Sequence, residues 1–126
     1  MREESRVASR ESRGPTLRVR WLGKLPYAEA WDLQKALWDG RTSGRSTWDY
    51  LLLLEHPHVY TIGRHGDPSN LLISSARLRD LKAEKYEVDR GGDITYHGPG
   101  QLVGYPIIQL DDPKRITAYV HRLQQA

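Results

Sequence analysis

Residues 90–105 read RGGDITYHGPGQLVGY, and this stretch decides how the rest of the chain is interpreted. Glycine and proline recur through it while residues typical of β-strands surround them, so it is neither an ordinary loop nor an ordinary strand. Gly91 and Gly92 have no Cβ atoms, so another group can approach their backbone N–H groups closely. A β-bulge or a tight bend is the alternative explanation of such a pair. The stretch therefore predicts a backbone segment in close contact with another group, or a sharp bend.

The glycine pair does not have the sequence context of a phosphate-binding loop. GxGxxG and P-loop motifs lie where a strand leads into a helix, whereas Gly91 and Gly92 follow one predicted strand and precede another. Neither motif occurs in the chain. Phosphate binding of those two kinds is therefore not expected.

Hydrophobic periodicity predicts strands and helices on both sides of the stretch. Strands are predicted over residues 16–21, 48–56, 59–63, 86–90 and 102–110, and Pro106 favours an edge position or a bulge for the last of them. Helices are predicted over residues 27–40 and 74–85, and a third starts at Asp111 or Asp112 with Pro113 in its first turn. Because strand follows strand twice, the pattern favours an α+β fold with a mixed sheet and flanking helices.

Two of the predicted helices have one apolar face. In the first, Tyr27, Ala30, Trp31, Leu37 and Trp38 recur at helical spacing, and burial preferences predict that the aromatic side chains belong to the core. In the last predicted helix, one apolar face consists of Ile116, Tyr119, Val120 and Leu123.

Composition sets limits on the class of protein. The 126 residues are enough for one small domain, and 38% hydrophobic with 28% charged residues is typical of a globular chain. The longest apolar run, residues 50–54, is far shorter than the ~20 residues that cross a bilayer, so no membrane association is expected. The chain has no cysteine, which excludes disulfides, thiolate metal sites and cysteine nucleophiles.

The termini and the net charge add two expectations. Residues 1–15 mix Arg, Glu and Ser without periodicity, so they predict a disordered tail, and residues 16–126 are expected to form the folded domain. The acids in this tail argue against a transit peptide and no apolar run marks a secretory signal, so a cytoplasmic location is expected. The formal charge of +3 and the pI near 9.3 suit an acidic partner, such as nucleic acid, an anionic surface or an acidic carrier protein.

The fixed positions within residues 90–105 form the pattern R-G-G-x-x-T-aromatic-H-x-x-G-Q-x-aliphatic-x-Y. This pattern and LLLLEHPHVYTIGRHGDPSNLL at residues 51–72 resemble the lipoyl(octanoyl) transferase family of lipoate biosynthesis. The resemblance implies the α+β fold of biotin and lipoate protein ligase catalytic domains. It implies octanoyl transfer from acyl carrier protein, through a cysteine thioester, to a lysine of a lipoyl domain in a 2-oxoacid dehydrogenase or the glycine cleavage H protein. It implies no metal, nucleotide or other cofactor.

The resemblance also assigns a substrate-binding loop. Its residues are Arg90, Gly91, Gly92, Asp93, Ile94, Thr95, Tyr96 and His97. The glycines would let an acyl chain lie against the backbone, and Ile94 and Tyr96 would give apolar walls, where each buried methylene contributes about 0.8 kcal/mol. Arg90, Thr95 and His97 would donate to the thioester carbonyl or hold the loop. A purely structural hydrogen bond is the alternative role of His97.

The resemblance stops before the family's nucleophilic cysteine and the lysine that lowers the pKa of that thiol. The sequence therefore predicts the N-terminal part of an octanoyltransferase catalytic domain, without the C-terminal part that completes the sheet and without catalytic residues of its own. Its activity alone is doubtful on this interpretation. The alternative is a non-catalytic fragment that binds acyl chains or acyl carrier protein.

Three other functions receive less support from the sequence. His56, His58 and His65 suggest a metal site, but no carboxylate or thiolate lies at a spacing that would complete it. The basic residues are scattered and no nucleic-acid recognition motif occurs. Biotin or lipoate ligation would require an ATP-binding lysine region that the sequence does not contain.

Overall fold

The computed structural model describes residues 16–126, which form two three-stranded sheets with three helices. The first sheet contains β1 (Thr16–Lys24), β2 (Trp48–Glu55) and β6 (Val103–Ile107), in the order β1-β2-β6. The second contains β3 (Val59–Ile62), β4 (Glu84–Glu87) and β5 (Ile94–His97), in the order β4-β3-β5. The helices are α1 (Tyr27–Thr42), α2 (Ser75–Asp80) and α3 (Ile116–Gln125). The disordered tail predicted for residues 1–15 lies outside the described residues.

Each sheet mixes parallel and antiparallel pairs. In the first sheet β2 is parallel to β1 and antiparallel to β6, and in the second β3 is parallel to β4 and antiparallel to β5. The predicted α+β class with mixed pairing is confirmed. The strands divide into two sheets because the chain bends at Pro57 and His58, so that β2 and β3 are consecutive in sequence but belong to different sheets.

The core lies between α1 and the first sheet. Leu52, Leu54 and Val103 are buried there, and Leu33 and Leu37 of α1 pack against them. Sequence periodicity was right for two residues of this helix, since Tyr27 and Ala30 are buried, but wrong for two others: Trp31 is 37% exposed and Trp38 is 59% exposed. Tyr27 and Ala30 with the partly buried Leu33 and Leu37 form the inner side of α1, and both indoles lie at its boundary with solvent.

The second helix is shorter than the pattern predicts. Ser74 caps it as expected, because its hydroxyl accepts a hydrogen bond from the Arg77 backbone N–H at 3.1 Å. The helix ends at Asp80, and Lys82 adopts a left-handed φ of 55° that turns the chain away from the helix axis. The predicted strand over residues 86–90 accordingly starts earlier, at Glu84, and ends at Glu87.

The last predicted strand, over residues 102–110, is shorter in the structure, at Val103–Ile107, and the last helix begins after Pro113 as predicted. Pro106 lies in β6, an edge strand of the first sheet. The Asp112 carboxylate accepts a hydrogen bond from the Lys114 backbone N–H at the start of a short 3₁₀ turn that contains Pro113 and leads into α3. No residue of α3 is buried, so its predicted apolar face is largely exposed. Within residues 16–126, no helix is long and apolar enough to cross a membrane.

His56 joins three elements of the fold at the end of β2. Its side chain is fully buried, and its Nδ1–H donates to the Leu25 carbonyl before α1 at 2.7 Å. Its Nε2 accepts a hydrogen bond from the Tyr105 hydroxyl of β6 at 2.8 Å. This pattern requires the neutral imidazole with the proton on Nδ1. Burial lowers the pKa of His56 and so does the nearby His97, while the hydrogen bond to Leu25 opposes them.

We therefore expect the stability of the fold to depend on the protonation of His56. Because the folded pKa is below the unfolded value of about 6.5, the unfolded state binds the proton first. The free energy of unfolding should be highest above about pH 6.5 and should fall on acidification, by about 1.4 kcal/mol per pH unit at most, until His56 is protonated in the folded state too. Urea titrations at pH 7.5 and 5.5 measure this loss.

His56→Gln should lose part of this pH dependence, while His121→Gln, on exposed α3, should keep it. An unchanged pH dependence in His56→Gln would contradict the assignment.

Candidate functional site

The predicted substrate-binding loop is divided between a bend and a strand. Residues 90–93 lie in the connection between β4 and β5, and residues 94–97 are β5 itself. Gly92 has a φ of 88°, a left-handed conformation that only glycine adopts without strain. The sharp bend, one of the two alternatives that the sequence allowed, is therefore present at the second glycine.

Arg90 ties this bend to the buried strand β3. Its Nη2 donates to the carbonyl oxygen of Thr61 at 2.8 Å and to the Thr61 hydroxyl at 2.7 Å. Its Nη1 donates to the carbonyl oxygen of Gly91 at 2.7 Å. Thr61 is only 1% exposed, so the guanidinium satisfies polar atoms that water does not reach. Of the two roles that the sequence left open for Arg90, the geometry favours holding the loop.

The close approach expected at the glycine pair is made to another glycine, Gly63. The Gly63 N–H donates to the Asp93 carbonyl at 2.6 Å, and the Arg64 N–H donates to the Arg90 carbonyl at 2.9 Å. A Cβ on Gly63 would lie 2.9 Å from the Gly91 carbonyl oxygen and closer still to that of Gly92. Sequence reasoning did not single out Gly63, although it follows directly after β3 in the second family-like segment.

Asp93 fixes the other end of the bend. Its carboxylate accepts a hydrogen bond from the Asp67 backbone N–H at 3.0 Å and another from the Asn70 side-chain amide at 2.6 Å. The segment between β3 and α2 is thereby connected to the loop. The predicted site residue Asp93 thus has a structural environment, with both carboxylate oxygens engaged by the chain itself.

The four predicted residues of β5 point alternately to its two faces. Tyr96 is on the outer face, where its ring is 5.1 Å from that of Tyr60 and its hydroxyl is 2.6 Å from His58 Nδ1. Ile94 shares this face with Tyr96, and Thr95 shares the inner face with His97. The structure therefore separates the two candidate apolar walls from the two candidate donors.

His97 belongs to a group of aromatic side chains between the two sheets, the inner cluster, whose members are Tyr27, His56, His97 and Tyr105. The His97 ring centroid is 5.8 Å from that of His56, which in turn lies 5.4 Å from Tyr27 and 5.8 Å from Tyr105. The Nδ1–H group of His97 donates a hydrogen bond to the side-chain oxygen of Gln101. Among the described residues, His97 Nε2 has no hydrogen-bond partner, so it is the ring atom available to another group.

The phenols of the inner cluster are neutral donors at physiological pH. Burial raises the pKa of Tyr105 far above its ordinary value, and the nearby Tyr27 adds to the effect. Burial also raises the pKa of Tyr27, although the Arg90 charge opposes it. Because Tyr105 donates to His56, both groups stay uncharged together. The cluster can donate hydrogen bonds without a formal charge.

The histidines that suggested a metal site lie in different environments. Both ring nitrogens of His56 are engaged by Leu25 and Tyr105, His58 is paired with Tyr96 on the outer face, and His65 is exposed. Over residues 16–126, no three His, Cys, Asp or Glu side chains are grouped so that they could hold a metal ion.

Comparison with known proteins agrees with this fold. Residues 26–126 match the family described as the lipoyl protein ligase A/B catalytic domain. The octanoyltransferase of Rubrobacter xylanophilus is 59% identical over 102 residues, which are 79% of this chain and 46% of that protein. The octanoyltransferase of Solibacter usitatus is 50% identical over 109 residues, covering 86% and 49% of the two chains. That of Bacteroides thetaiotaomicron is 43% identical over 116 residues, covering 88% and 51%.

The chain spans about half the length of these curated relatives. The family match extends over the three helices and every strand except β1, and its range includes every residue of the predicted loop. The fold expected from the sequence, like that of biotin and lipoate protein ligase catalytic domains, is therefore confirmed. On this evidence the chain belongs to the lipoyl protein ligase A/B catalytic domain family.

Proposed function

We propose that this chain binds the octanoyl group of octanoyl-acyl carrier protein, as part of its transfer to a lysine of a lipoyl domain. The acceptors would be lipoyl domains of 2-oxoacid dehydrogenases or the glycine cleavage H protein. The observation that carries the proposal is the loop of residues 90–97, clamped by Arg90 so that Thr95 and His97 are directed to the inner cluster. The octanoyltransferase names of the relatives support the reaction.

The acyl group would be bound by groups of two kinds. The thioester carbonyl requires hydrogen-bond donors, and Thr95 would supply one from the inner face of β5. His97, whose Nδ1–H donates to Gln101, would present its Nε2 as an acceptor on the same face. Gly91 and Gly92 are exposed and have no side chains, so an alkyl chain can lie against their backbone. Ile94 and Tyr96, on the other face, would stabilise the loop through their packing rather than form a wall of the same groove.

The covalent step requires a thiolate that this chain does not contain. Lipoyl(octanoyl) transferases, which the sequence resembles, hold the acyl group on a cysteine whose pKa a lysine lowers, and no cysteine occurs here. We therefore propose that residues 16–126 are the N-terminal part of an octanoyltransferase catalytic domain and that the thiolate comes from outside these 126 residues. The proposed reaction takes place in the cytoplasm and requires no metal or nucleotide, because the thioester is already activated.

A second candidate function is binding of acyl carrier protein without transfer. The absence of cysteine favours it, and the net charge of +3 suits an acidic carrier. The two candidates differ in whether the chain acts together with a thiolate from other residues, and both require the acyl-binding loop.

The first prediction of this proposal concerns the acyl chain. Octanoyl-acyl carrier protein should bind this chain at least about tenfold more tightly than the unacylated carrier, because burying even two methylenes contributes roughly that factor. Calorimetric titration of both carriers measures the difference, and a lipoyl domain added afterwards should receive no octanoyl group from this chain alone. Equal affinities would contradict acyl binding, and octanoyl transfer would contradict the need for a thiolate.

The second prediction concerns the glycine that supports the loop. Gly63→Ala should weaken octanoyl-carrier binding about tenfold or more, because its Cβ would push the Gly91 and Gly92 carbonyls away. Gly104→Ala is the matched control, since a Cβ there meets only Leu53 at 3.6 Å and Leu51 at 3.8 Å, which are ordinary contacts.

Thermal melts of both variants separate loss of binding from loss of folding. A Gly63→Ala chain that melts like the wild type and binds the octanoyl carrier equally well would contradict the proposed role of the loop.

A further inference from the structure

A cavity of about 250 Å³ lies between the first turns of α1 and the end of β4. Tyr27 is the one residue of the inner cluster that lines this cavity. Asp89, which also lines it, directly precedes Arg90 in sequence. Eight residues line it: Tyr27, Ala28, Trp31, Asp32, Tyr86, Glu87, Val88 and Asp89. The proposed acyl-binding role makes no use of this cavity.

Three aromatic rings form its walls. The Tyr27 and Tyr86 centroids are 5.1 Å apart with their planes tilted by 33°. The Trp31 ring is stacked with that of Tyr27 at 18°, with centroids 6.4 Å apart. The faces of such rings carry negative charge density and attract cations, and Trp does so most strongly.

The polar lining is acidic although the chain is basic overall. Asp32, Glu87 and Asp89 carry carboxylates and no lining residue is Lys, Arg or His, in a chain with 19 Lys and Arg and 16 Asp and Glu residues. Asp32 is 3.6 Å from Lys35 Nζ and Asp89 is 3.9 Å from Arg64 Nε, but both pairs are well exposed and contribute little. Glu87 forms no ion pair within the described part of the chain.

One cation–π contact with a ring of this cavity already occurs within the chain. Lys35 places its ammonium group 5.9 Å from the Trp31 ring centroid and pairs with Asp32. Lys35 does not line the cavity. Among the described residues, no cation lies over the rings of Tyr27 and Tyr86, and Arg90, whose charge lowers the pKa of Tyr27, is not a lining residue.

We propose that this cavity binds an alkylammonium group, held by cation–π contacts with Tyr27, Trp31 and Tyr86 and by the Glu87 carboxylate. A free organic amine and a lysine side chain on a protein surface share this chemistry. The proposal does not require octanoyl binding, because an acyl chain is uncharged and gains nothing from the acidic lining, although Tyr27 belongs to both the cavity and the inner cluster.

Choline and 3,3-dimethylbutan-1-ol test the proposal, because they have almost the same shape and differ in charge. Each is titrated into the 126-residue chain while the Trp31 indole N–H signal is followed by NMR, after assignment with a Trp31→Phe variant. Choline should shift this signal saturably, and the neutral alcohol should bind at least about fivefold more weakly. Equal shifts with the two compounds would overturn the proposal and identify the cavity as merely apolar.

Charge variants locate the site and keep the test independent of folding. Glu87→Gln, at an exposed position, should weaken choline binding about threefold, and Glu29→Gln, an exposed residue of α1 outside the cavity, should leave it unchanged. Lys35→Gln should strengthen it about twofold, because it removes a competing cation from Trp31 and Asp32. Equal affinities of the Glu87→Gln and Glu29→Gln variants would overturn the proposal.

Titration with Nα-acetyl-lysine amide, which keeps the free ε-ammonium group, distinguishes the two sources of the ligand. Binding tighter than that of choline assigns the cavity to a lysine side chain, and weaker binding assigns it to a free quaternary amine.

Discussion

The Arg90 guanidinium donates hydrogen bonds to both oxygens of Thr61, at 2.8 and 2.7 Å, and the candidate site depends on this contact. Thr61 lies in the middle of the second sheet and is nearly inaccessible to water. A charged donor that satisfies buried acceptors is costly to remove, because the acceptors would then lack partners. The same side chain binds the Gly91 carbonyl, so one residue couples the position of the loop to the central strand.

The close packing of backbone against backbone follows from this contact. With the loop held against β3, only a residue without a side chain fits at Gly63, and the N–H groups of Gly63 and Arg64 bond to loop carbonyls. On the inner face of β5, His97 is brought next to the buried His56 and its Tyr105 partner. The two phenols of the inner cluster are therefore neutral, while the charged Arg90 guanidinium is engaged by Thr61 and Gly91.

Much of this arrangement could be predicted from the sequence, because local patterns determine it. Alternation, the Ser74 cap and Pro113 located strands and helix starts correctly. The predictions that were wrong concern features that depend on tertiary packing. Periodicity identified Tyr27, Ala30 and Leu37 of α1 correctly, but it missed Leu33 and could not tell that Trp31 and Trp38 would be exposed.

The sequence did not predict where α2 ends or which group approaches the glycine pair, for a related reason. A left-handed Lys82 and the pairing of β4 with β3 override a helix-forming stretch, which propensity alone does not reveal. Gly91 and Gly92 indicated a close approach, but the approaching group, Gly63, is distant in sequence. The family pattern identified the loop residues without distinguishing those that hold the loop, such as Arg90 and Asp93, from those that face the inner cluster.

The most direct test of this account is amide hydrogen exchange at Gly63 and Arg64 in an Arg90→Lys variant. Lysine keeps the charge but cannot make the forked contact with Thr61. We predict that both amides exchange about tenfold or more faster than in the wild type, while amides of β2 are unchanged. Unchanged exchange at Gly63 and Arg64 would contradict the claim that Arg90 holds the loop in place.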